Sequence, residues 1–332
     1  MADLKTKYLG LDLKNPIIAA ASGITGDLNG VLLCEHNGAG AIVLKSMFEE
    51  IILAQSNELD TEMLKYEHPE VLNFVEAEIG MQLGSKPYLT FVEQAKNKCS
   101  VPIIASVNCI SSKRWISYAR DIESVGADAL ELNISHFPDT SSAGDDKIVQ
   151  SYGEIVSDVT AKLQIPVSVK LGNNFTNIWK VVGEVIRGGA KGLVLFNRYY
   201  SVDVDVAQKI FIPSMTFSSP QEMSMPLRWT GLLYGTVDCS LAGNSGIHNA
   251  ENALKMLMAG ADAVQICSVL YIKGVAYLAE MVKEMSDWLD NNGYASVSEI
   301  RGIASRNSAD KNSLLKRLQY VKALHEASKY EF

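Results

Sequence analysis

The stretch GADALELN, residues 126–133, is an apolar run that starts directly after a Gly-Ala turn, and it has the composition of a buried β-strand. A similar turn opens three other apolar runs, GAGAIVLK (38–45), GGAKGLVLFN (188–197) and GADAVQIC (260–267). Three more runs follow a proline, IIAAA after Pro16, IIASV after Pro102 and VSVKL after Pro166. With DCSLAG (238–243) added, the sequence predicts eight strands.

These strands favour a parallel arrangement. Each is nearly all apolar instead of alternating, which is expected when both faces of a sheet are covered. Helical patterns that end on glycine lie between most of them, such as TNIWKVVGEVIRG (176–188) and NAENALKMLMAG (249–260). Eight βα units in about 250 residues favour a (β/α)8 barrel, since a doubly wound sheet usually has fewer strands. We therefore predict an α/β protein with a single barrel domain over residues 1–332.

Two connections are longer than an ordinary βα unit requires. They are residues 46–100, after the second strand, and residues 198–237, after the sixth. Because both leave the carboxyl ends of strands, we expect them to roof the active site of the barrel. A small hairpin under the barrel floor is predicted for residues 8–16, and a charged helical tail for residues 297–332.

Composition excludes several classes of protein. The net charge is −8, from 30 basic and 38 acidic residues, which argues against nucleic acid or an anionic membrane as the main partner. The five cysteines are scattered and never spaced as CxxC, so neither a disulfide framework nor a metal site is predicted. No apolar run of about 18 residues and no signal sequence is present, and we expect a cytoplasmic protein.

In a barrel the residues at the carboxyl ends of the strands face one mouth, where function is expected. The polar or small residues at these ends are Ala21, Ser22, Gly23, Lys45, Ser46, Asn108, Asn133, Ser135, His136, Lys170, Asn197, Gly243, Asn244, Ser245, Gly246, Cys267 and Ser268. Two lysines on one face would repel each other unless an anionic group lies between them, although lysines also reach from strand ends into solvent.

The segment AGNSGIHNAENAL (242–254) predicts a turn followed by a helix with Asn249 as its N-cap. Backbone N–H groups at such a start bind phosphate, and barrels commonly hold a phosphate after strands seven and eight. A phosphate at one end, with lysines and amides at the other, describes a site for a phosphorylated planar cofactor. Flavin mononucleotide (FMN) fits this description, while pyridoxal phosphate or a sugar phosphate would also suit it.

The set NPIIAAASG, IVLKS, ELNIS, VSVKL, LVLFN and AGNSGI followed by AGADAVQIC resembles, in order and spacing, the flavin-binding framework of dihydroorotate dehydrogenases. The resemblance covers roughly residues 5–295. It implies a barrel with FMN at its mouth that oxidises dihydroorotate to orotate in pyrimidine biosynthesis. The resemblance also implies the soluble class of the family, in which dimers occur. Two assemblies therefore stay open, a homodimer and a complex with an electron-transfer partner.

The resemblance also implies roles for individual residues. By position, FMN would contact Ala21, Ser22, Gly23, Lys45, Ser46, Asn133, Lys170, Ser245, Gly246, Cys267 and Ser268, and the strand ends add Asn108 and Asn244. Lys45, Asn133 and Asn197 would lie within reach of a substrate. Lys45 is also predicted to be a catalytic residue. No metal ligands are expected.

The departures from the family pattern fall on the substrate side. Family members carry a Cys or Ser base after the fourth strand, whereas this chain has His136 there, followed by the additional Phe137. An imidazole is closer to working pH than a thiol, so His136 is the candidate base, unless it is a packed turn residue. Arg198 replaces a neutral residue and predicts an anionic substrate, or alternatively an ion pair with Asp203 or Asp205. Three functions therefore stay open: a dihydroorotate dehydrogenase, a flavin oxidoreductase for another small cyclic or carboxylated compound, and a non-catalytic FMN-binding barrel.

Overall fold

The computed structural model describes residues 2–48, 85–109, 115–134, 145–198, 201–214 and 216–305. The strands of these residues, in chain order, are β1 (Thr6–Tyr8), β2 (Leu11–Leu13), β3 (Ile17–Ala19), β4 (Ala41–Val43), β5 (Met47–Phe48), β6 (Ile103–Cys109), β7 (Ala129–Ile134), β8 (Val167–Leu171), β9 (Gly192–Leu195), β10 (Ser201–Asp205), β11 (Ile210–Ser214), β12 (Ser240–Asn244) and β13 (Ala263–Ile266).

Eight of these strands form a closed parallel barrel. Their order around the barrel is β4, β3, β13, β12, β9, β8, β7 and β6, and β6 pairs with β4 to close it. The short β5 extends the pairing along β6. All eight are strands that the sequence predicts, so the (β/α)8 barrel is confirmed.

Among the described residues, seven helices lie between strands in sequence and three follow β13. They are α1 (Leu28–His36), α2 (Ser85–Lys98), α3 (Trp115–Ser124), α4 (Asp145–Thr160), α5 (Ile178–Arg187), α6 (Ser224–Leu233), α7 (Ala250–Ala259), α8 (Ser268–Lys273), α9 (Tyr277–Asn291) and α10 (Val297–Ile300). Asp27, Asn177 and Asn249 cap α1, α5 and α7, because each side chain accepts a hydrogen bond from a backbone N–H of the first turn. The predicted N-cap Asn249 is thus confirmed.

The hairpin of β1 and β2 closes one end of the barrel. Tyr8, Leu9 and Leu13 are buried and pack against Ile18 and Val194 in the barrel interior. This end is the amino-terminal end of the strands, so the hairpin is the predicted floor. Ligands are therefore expected at the opposite, carboxyl-terminal end.

The long connections are described in part. Residues 49–84 of the first lie outside the described residues. The second contains the antiparallel pair β10 and β11, a 3-10 turn over Pro220–Met223 and α6. That these connections roof the mouth, and that residues 1–332 form one domain, stay predictions. Within the described part of the chain, no helix has the length and apolar character needed to span a membrane.

Candidate active site

The mouth of the barrel brings the predicted polar residues of three adjacent strands to the same height. Asn108 of β6 is in register with Asn133 of β7, and Asn133 is in register with Lys170 of β8. Residues paired in this way point to the same side of a parallel sheet. The three side chains therefore form one continuous polar row at the inner rim.

Two asparagines of the mouth hold each other in place. Asn197, after β9, donates a hydrogen bond from Nδ2 to Oδ1 of Asn133 at 2.9 Å. Asn197 is itself fixed by its backbone N–H, which donates to the carbonyl of Leu171 at 2.6 Å. Each amide keeps further donor and acceptor capacity, so the pair can bind the polar edge of a planar ligand.

Lys170 is the buried cation of the mouth. The residue is only 6% exposed, and Nζ donates to Oε1 of Gln265 at 3.1 Å. Nζ also lies 3.6 Å from Oε1 of Glu131, whose other carboxylate oxygen accepts from Nε2 of Gln265. A positive charge is thus held at the height where the sequence predicts a cofactor.

Lys45 and Ser46 lie where β4 ends. The backbone N–H of Lys45 donates to the carbonyl of Thr25 at 3.0 Å, which ties it to the loop after β3 that contains Ser22 and Gly23. The hydroxyls of Ser46 and Ser106 are 2.7 Å apart. The structure therefore brings both lysines and the small residues of the first loop to the mouth, as predicted.

The loop after β12 makes a tight turn before α7. Ser245 and Gly246 both have positive φ, 75° and 74°. The side chains of Asn244 and Ser245 donate to the backbone carbonyl of Phe196 at 2.6 and 3.1 Å, so they tie the loop to the end of β9. For Asn244, which is buried, this contact indicates support of the loop, while its predicted cofactor contact stays a prediction.

We predict that Gly246→Ala weakens flavin binding at least about 10-fold, because alanine in left-handed backbone costs about 1–2 kcal/mol. A Cβ there would also lie 2.3 Å from the backbone nitrogen of Met223. The dissociation constant is measured by titrating apoprotein with FMN. Gly293→Ala is the matched control, since Gly293 has φ 77° and open space around its Cβ position. Equal affinity in both variants would contradict the assignment of this loop.

Cys267 and Ser268 complete the ring of strand ends. Burial raises the pKa of the Cys267 thiol, although Lys170 and Ser22 act in the opposite direction. The raised pKa favours a neutral thiol, which is a poor nucleophile. Oγ of Ser268 accepts from the backbone N–H of Ser218 at 3.0 Å, so it fastens the segment before the 3-10 turn to the mouth.

Arg198 is held by a segment that its sequence neighbourhood does not indicate. Its Nε lies 2.7 Å from Oε2 of Glu222, and its other nitrogens donate to the backbone carbonyl and hydroxyl of Thr216. The ion pair is thus formed with Glu222 and not with the predicted Asp203 or Asp205. Binding of a substrate by Arg198 stays a prediction.

We predict that the Arg198–Glu222 pair makes stability depend on pH in the acid range. Burial raises the pKa of Glu222, but hydrogen bonds from Ser219 and Arg198 together outweigh burial, so the pKa is lowered. Because the pKa is lower in the folded protein, the contribution is complete above the unfolded value of about 4.3 and disappears as pH falls through the folded pKa. When the free energy of unfolding is measured in urea from pH 7 to pH 3, it should fall less for Glu222→Gln than for wild type. Parallel curves would contradict the lowered pKa of Glu222.

Two buried polar residues of the site were missed from the sequence. Glu131 interrupts the apolar run ALELNI, and Gln265 interrupts AVQI. A charged or amide side chain in the middle of a strand covered on both faces was the available signal. His136, the candidate base, and its neighbour Ser135 lie outside the described residues.

A cleft of about 770 Å³ lies at the floor end of the barrel, away from the mouth. Leu9, Lys191, Asp238, Cys239 and Arg301 are among the residues that line it. It contains none of the predicted site residues. Among the described residues, no group of three or more His, Cys, Asp or Glu side chains is placed to hold a metal ion.

The fold and the mouth define the chain as a (β/α)8 barrel protein whose site combines a buried cation, paired amides and a tight glycine turn. Residues 3–289 match the family model of dihydroorotate dehydrogenase, and the chain belongs to this family. The family is flavin-dependent and consists of oxidoreductases that act on CH–CH groups.

Relatives of the chain are named dihydroorotate dehydrogenase B (NAD(+)), catalytic subunit. The protein of Thermoplasma acidophilum is 27% identical over 319 residues, which cover 92% of this chain and 100% of the relative. That of Pyrococcus abyssi is 30% identical, with 91% and 99% covered, and that of Methanosarcina acetivorans is 30% identical, with 89% and 94% covered.

The described mouth fits a flavin. Lys170 supplies a buried positive charge, and Asn133 and Asn197 supply amides at the rim. Gly246 has a positive φ of 74°, and a Cβ there would lie 2.3 Å from the backbone nitrogen of Met223, so the tight turn before α7 needs a glycine at this position. These are the features that a planar ring with a phosphorylated tail requires.

Proposed function

We propose that the chain is the catalytic component of an FMN-dependent dihydroorotate dehydrogenase that converts dihydroorotate to orotate. The observation that carries the proposal is the buried cation Lys170 in register with Asn133, within a chain that matches the family over residues 3–289. Substrate and cofactor would both lie against this row of side chains.

Oxidation of dihydroorotate turns a C–C single bond into a double bond by removal of a proton and a hydride. A bound flavin would supply the hydride acceptor. His136 takes the proton in this proposal, because an imidazole is a suitable base near neutral pH. Asn133 and Asn197 orient the substrate, together with Lys45, and Lys170 offsets the negative charge that the ring acquires.

The remaining cofactor contacts are assigned by position. We propose that Ala21, Ser22, Gly23, Ser46, Asn108, Cys267 and Ser268 surround the ring and that the loop of Asn244, Ser245 and Gly246 binds the phosphate. The relatives named for NAD(+) are catalytic subunits, which supports a second subunit as electron acceptor for this chain. We place the protein in the cytoplasm, and a homodimer is the alternative assembly.

A second candidate function is oxidation or reduction of another small carboxylated compound. It is favoured by Arg198, which stands where the family pattern has a neutral residue and which reaches Glu222 and Thr216 in this chain. A third candidate is a barrel that binds FMN without turnover.

One experiment separates these candidates. The protein is purified, its flavin is released by denaturation and identified by mass, and the holoprotein is mixed with dihydroorotate in the absence of oxygen. Bleaching of the flavin absorbance is expected. Bleaching by another reduced compound alone would favour the second candidate, and bleaching by neither would favour the third. A protein that takes up no FMN would overturn all three.

A further inference from the structure

The interior of the barrel contains a network of Lys170, Gln265 and Glu131 directly below the mouth. Glu131 is fully buried and Gln265 is 1% exposed. The side-chain amide of Gln265 accepts from Nζ of Lys170 at 3.1 Å and donates to Oε2 of Glu131. Oε1 of Glu131 accepts no hydrogen bond from a described residue and lies 3.6 Å from Nζ of Lys170.

This network contains two of the buried charged side chains of the described residues, and the buried Ser106 and Ser168 lie beside Glu131 on the neighbouring strands. Among the described residues, the buried Asp, Glu, Lys and Arg side chains are Glu131, Lys170 and Asp262. Asp262 pairs with Arg301 at 2.7 Å, beside the floor cleft. Glu131 is therefore the buried anion paired with Lys170, and the two charges cancel over a distance of a few ångströms.

Such a pair is not required for packing. Burying two charges has a desolvation cost that their attraction often does not exceed, and apolar residues of equal volume commonly give equal or greater stability. Only Lys170 is at the height of Asn133 and the predicted flavin. Apolar residues in place of both charges would stabilise the fold equally well. The carboxylate of Glu131 is therefore better explained by its effect on Lys170.

We infer that Glu131 is a positioning residue which, with Gln265, aims Lys170 at the flavin and offsets its charge, so that Glu131 keeps the reduction potential of the bound ring below the value that Lys170 alone would give. The inference rests on the proposed function. A lone cation beside the ring would stabilise the reduced, negatively charged form and raise its potential. Glu131 cancels part of that effect.

The partial cancellation suits transfer of electrons to a nicotinamide. NAD(+) has a low reduction potential, so a flavin whose electrons reach it through a second subunit must keep a low potential of its own. The relatives that this chain resembles are named for NAD(+). A network that keeps Lys170 in place for binding while limiting its electrostatic effect meets both requirements.

The test is the midpoint potential of the protein-bound flavin, measured by anaerobic spectroelectrochemical titration of holoprotein. Glu131→Gln removes the negative charge at constant size and is expected to shift the potential upward. Lys170→Met is expected to shift it downward. Glu131→Asp keeps the charge and is expected to stay near wild type, while Ser286→Ala, a buried change in α9, controls for packing.

Shifts of opposite sign for Glu131→Gln and Lys170→Met support the inference, because loss of packing alone has no reason to give opposite signs. Equal potentials in wild type and Glu131→Gln would overturn it while leaving the proposed function in place. Where Glu131→Gln gives no folded protein, Lys170→Met/Glu131→Gln is used, and its potential must lie above that of Lys170→Met.

A second measurement needs no flavin. In urea unfolding of the apoprotein, Glu131→Gln and Lys170→Met should each lower stability, and the double variant should lose less than the sum of the two. Additive losses would overturn the coupling of Glu131 to Lys170. A protein that takes up no flavin, with coupling intact, would overturn the proposed function and with it the role in the potential.

Discussion

Lys170→Met should reduce the rate of flavin reduction by dihydroorotate about 100-fold or more. The reason is electrostatic, since removal of one preorganised group that stabilises developing charge typically costs a factor of about 10²–10³. The residue is 6% exposed and sits in register with Asn133, so solvent cannot replace it easily. The measurement is stopped-flow absorbance of the holoprotein mixed anaerobically with dihydroorotate.

Two controls separate this effect from damage to the fold. Lys191→Met changes an exposed lysine at the floor end and should leave the rate unchanged. Lys170→Met alone leaves Glu131 as an unpaired buried charge, which typically costs about 3–5 kcal/mol. Lys170→Met/Glu131→Gln removes that charge and should recover stability without recovering the rate. A normal rate in Lys170→Met would remove the lysine from the mechanism.

His136→Ala should reduce flavin reduction by a comparable factor, about 10²-fold or more, because general bases contribute typically 10²–10⁴-fold. His136 follows Ile134, the last residue of β7, by two positions, and β7 carries Asn133 to the mouth. An imidazole that titrates near pKa 6.5 must be neutral to accept a proton. The rate in wild type should therefore rise with pH through that region, and the variant should lose this dependence.

His36→Ala is the matched control for that experiment. His36 ends α1 on the outside of the barrel and should have no effect on the rate. Binding of flavin should be equal in wild type, His136→Ala and His36→Ala, which limits the effect to the chemical step. If His136→Ala reduced its flavin at the normal rate, His136 would not be the base and would instead be a packed or capping side chain.

The fold was predictable from sequence because each strand carries its own signal. An apolar run that begins after Gly-Ala or proline and ends on a polar residue is visible without knowledge of its neighbours, as in GADALELN. The closure of the barrel follows from the number of such units. The capping of α7 by Asn249 was predictable for the same local reason.

The contacts between strand ends were not predictable in the same way. Asn133 and Asn197 are 64 residues apart, and their hydrogen bond depends on how β7, β8 and β9 are staggered. The pairing of Arg198 with Glu222 depends on the path of the connection after β9. A sequence pattern contains neither the stagger of the strands nor the path of the connection. It therefore suggested only the nearby Asp203 and Asp205 as partners of Arg198.

Glu131 and Gln265 are an intermediate case. Each was visible as a polar residue inside an apolar strand, but the two are 134 positions apart in the chain, and only the barrel brings them to Lys170. A buried charge in a strand predicts that a partner exists. Which residue is the partner follows from the register of the strands.

The central claim is tested most directly by an anaerobic titration of the FMN-loaded protein with dihydroorotate, followed by absorbance and by analysis of the product. One equivalent of dihydroorotate should bleach one equivalent of flavin, and one equivalent of orotate should appear. A flavin that stays oxidised in excess dihydroorotate, in a protein that binds FMN stoichiometrically, would contradict the proposed function.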